Sequence, residues 1–317
     1  MSRFLIGGGG WAYFRVLGRN SLLEYAKTFD FVEVNSIFYE YLSMQTVRSW
    51  RKRVSSDFEF TVRCHQDIAH KNRLEPSKAN VACLEKMLDV CEALKALVLH
   101  IQVPGEVRLD SRRMLRARDL FESVYSDRVR VALEIGRGKT HVLDSDTVAI
   151  MQDLNIVHCV DLSHEEPACR SDLLYARLFG PTGDNIYQFT DEELRDINTK
   201  ASKPEFEKSI LVFHGVKMYK DAARLKMFRS IGRFPMITSG VGPESLRAIL
   251  SEDASFPASK TSLIEQQGWK IIDLTLERRV RAARTLVNLP DRDYHSIEDV
   301  LTALRSFNSS SGQNTRA

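Results

Sequence analysis

Glu33, Glu134, Asp161 and His214 each stand at or just past the end of a short apolar run. Carboxylates and an imidazole converging from different runs suit general acid–base catalysis or the binding of a divalent metal. These four residues are therefore the candidate ligands for a divalent cation, the cofactor this sequence suggests. His65 and His70 add two imidazoles that fit acid–base roles, so the catalytic candidates are Glu33, His65, His70, Glu134, Asp161 and His214. Arg63, Arg73 and Arg177 form a candidate anion clamp, because a guanidinium fork matches phosphate oxygens. Trp11, Tyr13 and Tyr39 offer rings for stacking, and Asn35 and Gln102 offer amides. Two alternatives stand beside this reading. The rings would pack as a lid, and Glu33 and Glu134 would pair with Arg63 and Arg177, leaving no vacancy for a metal. No G-x-S-x-G is present, and Cys64 beside His65 points to the opposite face of a strand, so no Cys–His nucleophile is expected.

Such a set needs a scaffold that brings distant run ends together. Apolar runs at 3–7, 31–35, 58–63, 96–101, 130–134, 156–160, 173–178 and 209–213 read as buried parallel strands. Amphipathic stretches at 77–94, 110–125 and 219–230 read as helices between them, with Val81, Leu84, Leu88 and Cys91 on the buried side of the first. Ser21 with Glu24, and Thr190 with Glu193, have capping-box spacing. Eight alternations predict an α/β fold, a TIM-like (β/α)8 barrel, with function at the C-terminal strand ends. The Gly7–Gly10 run is followed by Trp11, Tyr13 and Phe14, which do not suit a dinucleotide cradle.

Past residue 240 the pattern changes. A polar, proline-bearing stretch near 251–257 predicts a boundary, giving a barrel over 1–250, an all-helical module over 255–306 and a disordered tail over 307–317. The 45 basic and 42 acidic residues nearly cancel, so charge alone does not announce a nucleic-acid binder. Arginine clusters at Arg112, Arg113, Arg116 and Arg118, and at Arg278, Arg279, Arg281 and Arg284, read as solvated helix faces or as contacts to a nucleic-acid backbone. Five scattered cysteines without C-x-x-C argue against a disulfide framework or structural zinc, and no membrane span or signal peptide is visible. A cytoplasmic location is expected.

Several motifs resemble a known family. Gly9-Gly10-Trp11-x-Tyr13, Glu33-Val-Asn35-Ser-x-Phe38-Tyr39, Thr46-Val-x-x-Trp50, Ile68-x-His70, Gln102-x-Pro104, Glu134, Asp161 and Tyr175-x-Arg177-x-x-Gly180 look like domain-of-unknown-function 72, also called YecE-like. The resemblance implies a TIM-like barrel and a pocket, without a defined reaction. The chain departs from that family's pattern at Ile135-Gly136-Arg137, at Phe179 and at His214-Gly215. The segment from Phe256 to Val300 is similar to domain-of-unknown-function 2795, a small helical module.

The expected activity is hydrolysis of a phosphate-bearing substrate, a nucleic-acid phosphodiester included, by rim carboxylates, histidines and the arginine clamp. The alternatives are a non-catalytic module that binds nucleic acid or a metabolite, and a sugar-phosphate isomerase or lyase. Expected partners are a phosphate-bearing small molecule or nucleic acid, and a protein recruited by the C-terminal module, with no membrane.

Overall fold

The apolar runs form strands almost where their composition places them. The structure, a computed structural model, describes residues 3–122, 129–136, 142–182 and 185–311, with side chains as far as 306. Eight parallel strands are β1 (Arg3–Gly8), β2 (Phe31–Val34), β3 (Glu59–Arg63), β4 (Val98–Val103), β5 (Arg130–Ile135), β6 (Val157–Cys159), β7 (Leu173–Leu178) and β8 (Lys208–Phe213). One ladder runs β2-β3-β4-β5-β6 and another β7-β8-β1. A bridge between Val160 and Ala176 joins them. This cyclic order is that of a TIM-like barrel.

Between β1 and β2 a side chain replaces ladder bonds. The Tyr25 hydroxyl accepts from the Gly8 amide at 2.8 Å and donates to the Phe31 carbonyl at 2.8 Å. Gly7 permits the approach: a Cβ there would stand 2.7 Å from the same hydroxyl and closer still to the Phe31 carbonyl. Tyr25 is supplied by α1 (Ser21–Ala26), whose N-cap is Asn20, with its side chain accepting from Leu22 and Leu23. The expected Ser21–Glu24 box is thus displaced by one residue; Glu24 pairs with Lys27 instead.

The other helices are α2 (Met44–Arg53), α3 (Lys78–Leu94), α4 (Ser111–Glu122), α5 (Ser145–Asp153), α6 (Asp191–Ala201) and α7 (Met218–Ile231). The buried stripe of α3 is Cys83, Leu84, Met87, Val90, Cys91 and Leu94, rotated from the expected one, and Val81 is exposed. At α6 the Thr190–Glu193 box forms reciprocally, with each backbone amide bound by the other's side chain. Among the described residues no helix is long and apolar enough to cross a membrane.

The chain divides into two compact units, Met1–Asn185 with Asp196–Lys226, and Ile186–Arg195 with Met227–Ala317. The boundary expected near 250–255 therefore falls inside the second unit. That unit holds α8 (Pro243–Asp253), α9 (Lys260–Gln267), α10 (Ala283–Leu286) and α11 (Ile297–Ser311). Leu246, Ile249 and Leu250 of α8 share one buried cluster with Leu263, Ile272 and Tyr294. The segment is mixed rather than all-helical. Strands β9 (Ala258–Ser259) and β12 (Asp293–Tyr294) pair antiparallel, as do β10 (Ile271–Asp273) and β11 (Arg279–Arg281). Of the expected tail, 307–311 continue α11, and 312–317 lie outside the described residues.

Candidate functional site at the barrel mouth

Alternation along each strand sends residues two apart to the same face. Thr61 and Arg63 on β3, His100 and Gln102 on β4, and Tyr175 and Arg177 on β7 are such pairs. With Glu33 on β2 and Glu134 on β5 they meet at the C-terminal ends of the strands.

Arg177 lies at the centre and is 2% exposed. Its Nε is 3.1 Å from Glu33 Oε2, one terminal nitrogen donates to Glu33 Oε1 at 3.1 Å, and the other donates to Glu134 Oε2. Tyr175 donates its hydroxyl to Glu33 Oε2 at 2.8 Å, so Thr61, 2.9 Å away, donates to Tyr175. His100 Nε2 is 3.0 Å from Glu134 Oε2, and His214 Nε2 is 3.3 Å from Glu33 Oε1. Burial pushes both carboxyls up, but the Arg177 guanidinium and the neighbouring histidines more than cancel this and hold both well below the usual range. Burial, reinforced by the Arg177 charge, lowers His100 and brings His214 down to about 4. The cluster is thus two carboxylates, one guanidinium and two neutral imidazoles at neutral pH.

Arg63 is bonded differently. One terminal nitrogen donates to Asn35 Oδ1 at 2.8 Å and the other to Gln102 Oε1, both neutral acceptors. Its Cζ sits 3.5 Å from the Phe38 ring centroid, and its buried Nε has no hydrogen-bond partner. None of the described ion pairs includes it. Burial and the Arg177 charge bring it down to about 10, so it remains cationic at neutral pH.

An open cavity of about 480 Å³ lies beside the cluster, with Gly9, Tyr13, Asn35, Asn185, His214 and Tyr219 among its lining residues. Gly9 is required for its shape, since a Cβ there would overlap the His214 imidazole. The His214 ring stacks on Phe179, with centroids 4.4 Å apart. Tyr13 is 77% exposed at the cavity edge, and Tyr39 is 65% exposed near Arg63.

Several expected site residues do not join this cluster. Asp161 is committed to backbone: Oδ2 accepts from the Phe179 and Gly180 amides at 2.7 and 3.3 Å, and Oδ1 accepts from Ser163. These bonds hold the loop after β7 and the turn at Ser163. His65 stacks on Tyr41 at 3.8 Å, and its Nδ1 accepts from the Asp67 amide at 3.2 Å, on the far side of the strand exit. His70 packs edge-on against Phe38 at 5.0 Å, close enough for the Arg63 charge to depress it after burial. Arg73 is exposed in a left-handed backbone conformation, and its carbonyl accepts from Arg113. Trp11 packs against Trp50 at 5.0 Å, as a lid residue would.

The expected metal set is likewise not assembled. Glu33 and Glu134 are held by Arg177, and Asp161 is elsewhere. Among the described residues His100, Glu134 and Cys159 bring ligand atoms within 4.8 Å of one another. Arg177 shares Glu134 Oε2, so a cation there would sit beside a guanidinium. Sequence reasoning gives no role to His100, Thr61 or Cys159, and it singles out Tyr175 only as part of a family motif. The signal for Tyr175 and Thr61 was their position two residues before Arg177 and Arg63. Arg137 lies outside the described residues.

The expected basic faces are largely neutralised. Arg113 and Arg116 pair with Glu75, and Arg118 with Glu122. In the second unit Arg279, on a strand, pairs with Asp191 and Asp273, and Arg281 donates to Tyr187 and the Trp269 carbonyl.

No curated protein matches the chain. A DUF72 family protein of Enterococcus faecalis V583 superposes with a TM-score of 0.56 at 17% identity, covering 73% of this chain and 98% of that one. A DUF72 family protein of Thermotoga maritima MSB8 gives 0.56 at 15% identity, covering 72% and 99%. A D-psicose 3-epimerase, solved in the presence of D-fructose, gives 0.50 at 14% identity, covering 71% and 98%. At these identities the likeness shows the barrel fold. Residues 5–231 match the family model described as Protein of unknown function DUF72, and the chain belongs to that family.

Proposed function

We propose that the barrel mouth binds a small phosphate-bearing molecule through Arg63 and moves a proton on it through His214. The observation that carries the reading is the bonding of Arg63. It is a buried cation whose direct partners are two neutral amides and whose Nε is unpartnered. A phosphate oxygen supplies the opposite charge that the amides of Asn35 and Gln102 do not.

His214 suits the proton step. It is neutral at physiological pH, lines the cavity, and has its Nε2 3.3 Å from Glu33 Oε1. Glu33 stabilises the imidazolium that forms when His214 takes a proton, and Arg177 keeps Glu33 ionised. Exposed Tyr13 at the cavity edge and exposed Tyr39 near Arg63 suit the face of a sugar ring. This favours sugar-phosphate isomerase or lyase chemistry over metal-assisted phosphodiester cleavage, because Arg177 already occupies the carboxylates a metal pair would need.

Calorimetric titration with ribose 5-phosphate and with a triose phosphate tests the binding step. Saturable binding is expected, weakened by on the order of tenfold or more in Arg63→Gln. Equal affinity in the variant, or no heat with either probe, contradicts the proposal.

A further inference from the structure

A cavity of about 650 Å³ opens on the second unit, to which all of its lining residues belong. Its first wall begins at the end of α7. Gly232, in a left-handed conformation, closes that helix, and its amide donates to the Phe228 carbonyl at 2.8 Å. The chain then folds back, and the buried Phe234 ring stacks on Phe228 with centroids 4.4 Å apart. Just beyond, Asp273 Oδ2 accepts from the Ile237 and Thr238 amides, each at 2.9 Å. A second wall is the turn between β10 and β11, which carries Leu276. Arg279 ties the two walls together. One of its terminal nitrogens donates to the Phe234 and Leu276 carbonyls, both at 3.3 Å. Its charge is met by Asp191 and Asp273 at 2.9 and 3.0 Å.

The lining joins apolar surface to positive charge. Met227, Ile231 and Leu276 are 43%, 53% and 71% exposed, and Met236 is half-buried. Arg195 of α6 holds its Cζ 5.1 Å from the Phe234 centroid and 5.8 Å from that of Phe228. Arg233 is exposed on the fold-back, and none of the described ion pairs includes it. Since Arg279 is matched by its two aspartates, the lining sets Arg195 and Arg233 against Glu277, a net positive wall. The volume is that of a small-molecule site, and clustered exposed side chains of this kind gain by being covered. A polar anion leaves the apolar wall wet, and a cation meets two guanidiniums. A hydrocarbon chain ending in one carboxylate satisfies both parts: flexible methionines fit the chain, and a guanidinium fork fits the carboxylate.

We propose that this cavity binds an aliphatic carboxylate, with the carboxylate on Arg233 and Arg195 and the hydrocarbon chain along Met227, Ile231 and Leu276. The site is separate from the barrel mouth, since none of its residues lines the cavity beside His214. The apolar wall supplies affinity through the area it removes from water, and the arginines select the charged end.

The test titrates the full chain calorimetrically with decanoate below its micelle-forming concentration, and in parallel with acetate and with decyltrimethylammonium. Decanoate is expected to saturate a single site, with acetate and the decyl cation weaker by about tenfold or more. Arg233→Gln and Leu276→Asp, both at exposed positions, are each expected to weaken decanoate by about tenfold without changing the melting temperature. No saturable heat with decanoate overturns the proposal, and so does equal affinity for decanoate and the decyl cation, which marks apolar association without charge selection. Both readouts come from the unaltered chain and hold whether or not a variant folds. Affinity unchanged in Arg233→Gln but lost in Arg63→Gln places the acid at the barrel mouth and also overturns it.

Discussion

His214 stays neutral at a pH where Glu33, 3.3 Å away, is ionised, because burial and Arg177 oppose a second cation more strongly than one carboxylate favours it. A histidine whose folded value is depressed binds its proton more readily in the unfolded chain. Stability is then lost as pH falls from about 6.5 toward about 4. His158, also lowered to about 4 by burial, acts in the same window. Glu33 and Glu134, held low, contribute stability above the unfolded carboxylate range that is lost only at more acid pH. Each of the two histidines is expected to cost about 2 kcal/mol on going from about pH 7 to about pH 5. Urea titrations should show this loss reduced by about that amount in His214→Gln. An unchanged loss would mean that His214 is already protonated in the fold. The carboxylate–Arg177 pairing was legible as an alternative, because rim residues of opposite sign were visible at strand ends. The roles of Asp161 and Tyr175 were not. The amides of Phe179 and Gly180 reach Asp161 only in the fold, and a tyrosine within an apolar run reads as core.

Each barrel strand lies within two residues of its apolar run, because parallel strands buried on both faces leave a continuous hydrophobic signature. The seam between β1 and β2 left no such mark. Tyr25 looks like an ordinary buried aromatic of a short helix, yet its hydroxyl serves one backbone donor and one acceptor on different strands. Tyr25→Phe leaves the buried Gly8 amide and Phe31 carbonyl without that partner, which should destabilise the chain by about 2–4 kcal/mol. Amide exchange at Gly8 should speed up more than exchange within β4 and β5. Uniform acceleration would mean that the hydroxyl does not hold the seam. The ribbons formed by β9 with β12 and by β10 with β11 were invisible for another reason: strands of two or three residues are too short to show a period. The α3 stripe was misjudged by its rotation, not its period, since Cys83 and Met87 rather than Val81 and Leu88 turn inward.

At the scale of the molecule, the balanced charge is reflected in local pairing, and the two arginine clusters that suggested a nucleic-acid face are mostly bonded to acids or carbonyls. The second unit has its own buried cluster, to which α8 contributes. Truncation after Leu250 removes the described partners of Leu246, Ile249 and Leu250 within that cluster. The product is expected to bind a hydrophobic dye and to lose its cooperative melt. A soluble, cooperatively melting product would instead make residues 251–317 a separable module. In the first unit the buried Arg63 cation has two neutral amides, and no anion, among its described direct partners. The most direct test of phosphate binding there is a crystal structure grown with ribose 5-phosphate. The account predicts the phosphate against the Arg63 guanidinium, with Asn35 beside it and the sugar extending toward His214. An empty mouth, or a phosphate bound only elsewhere on the chain, would contradict it.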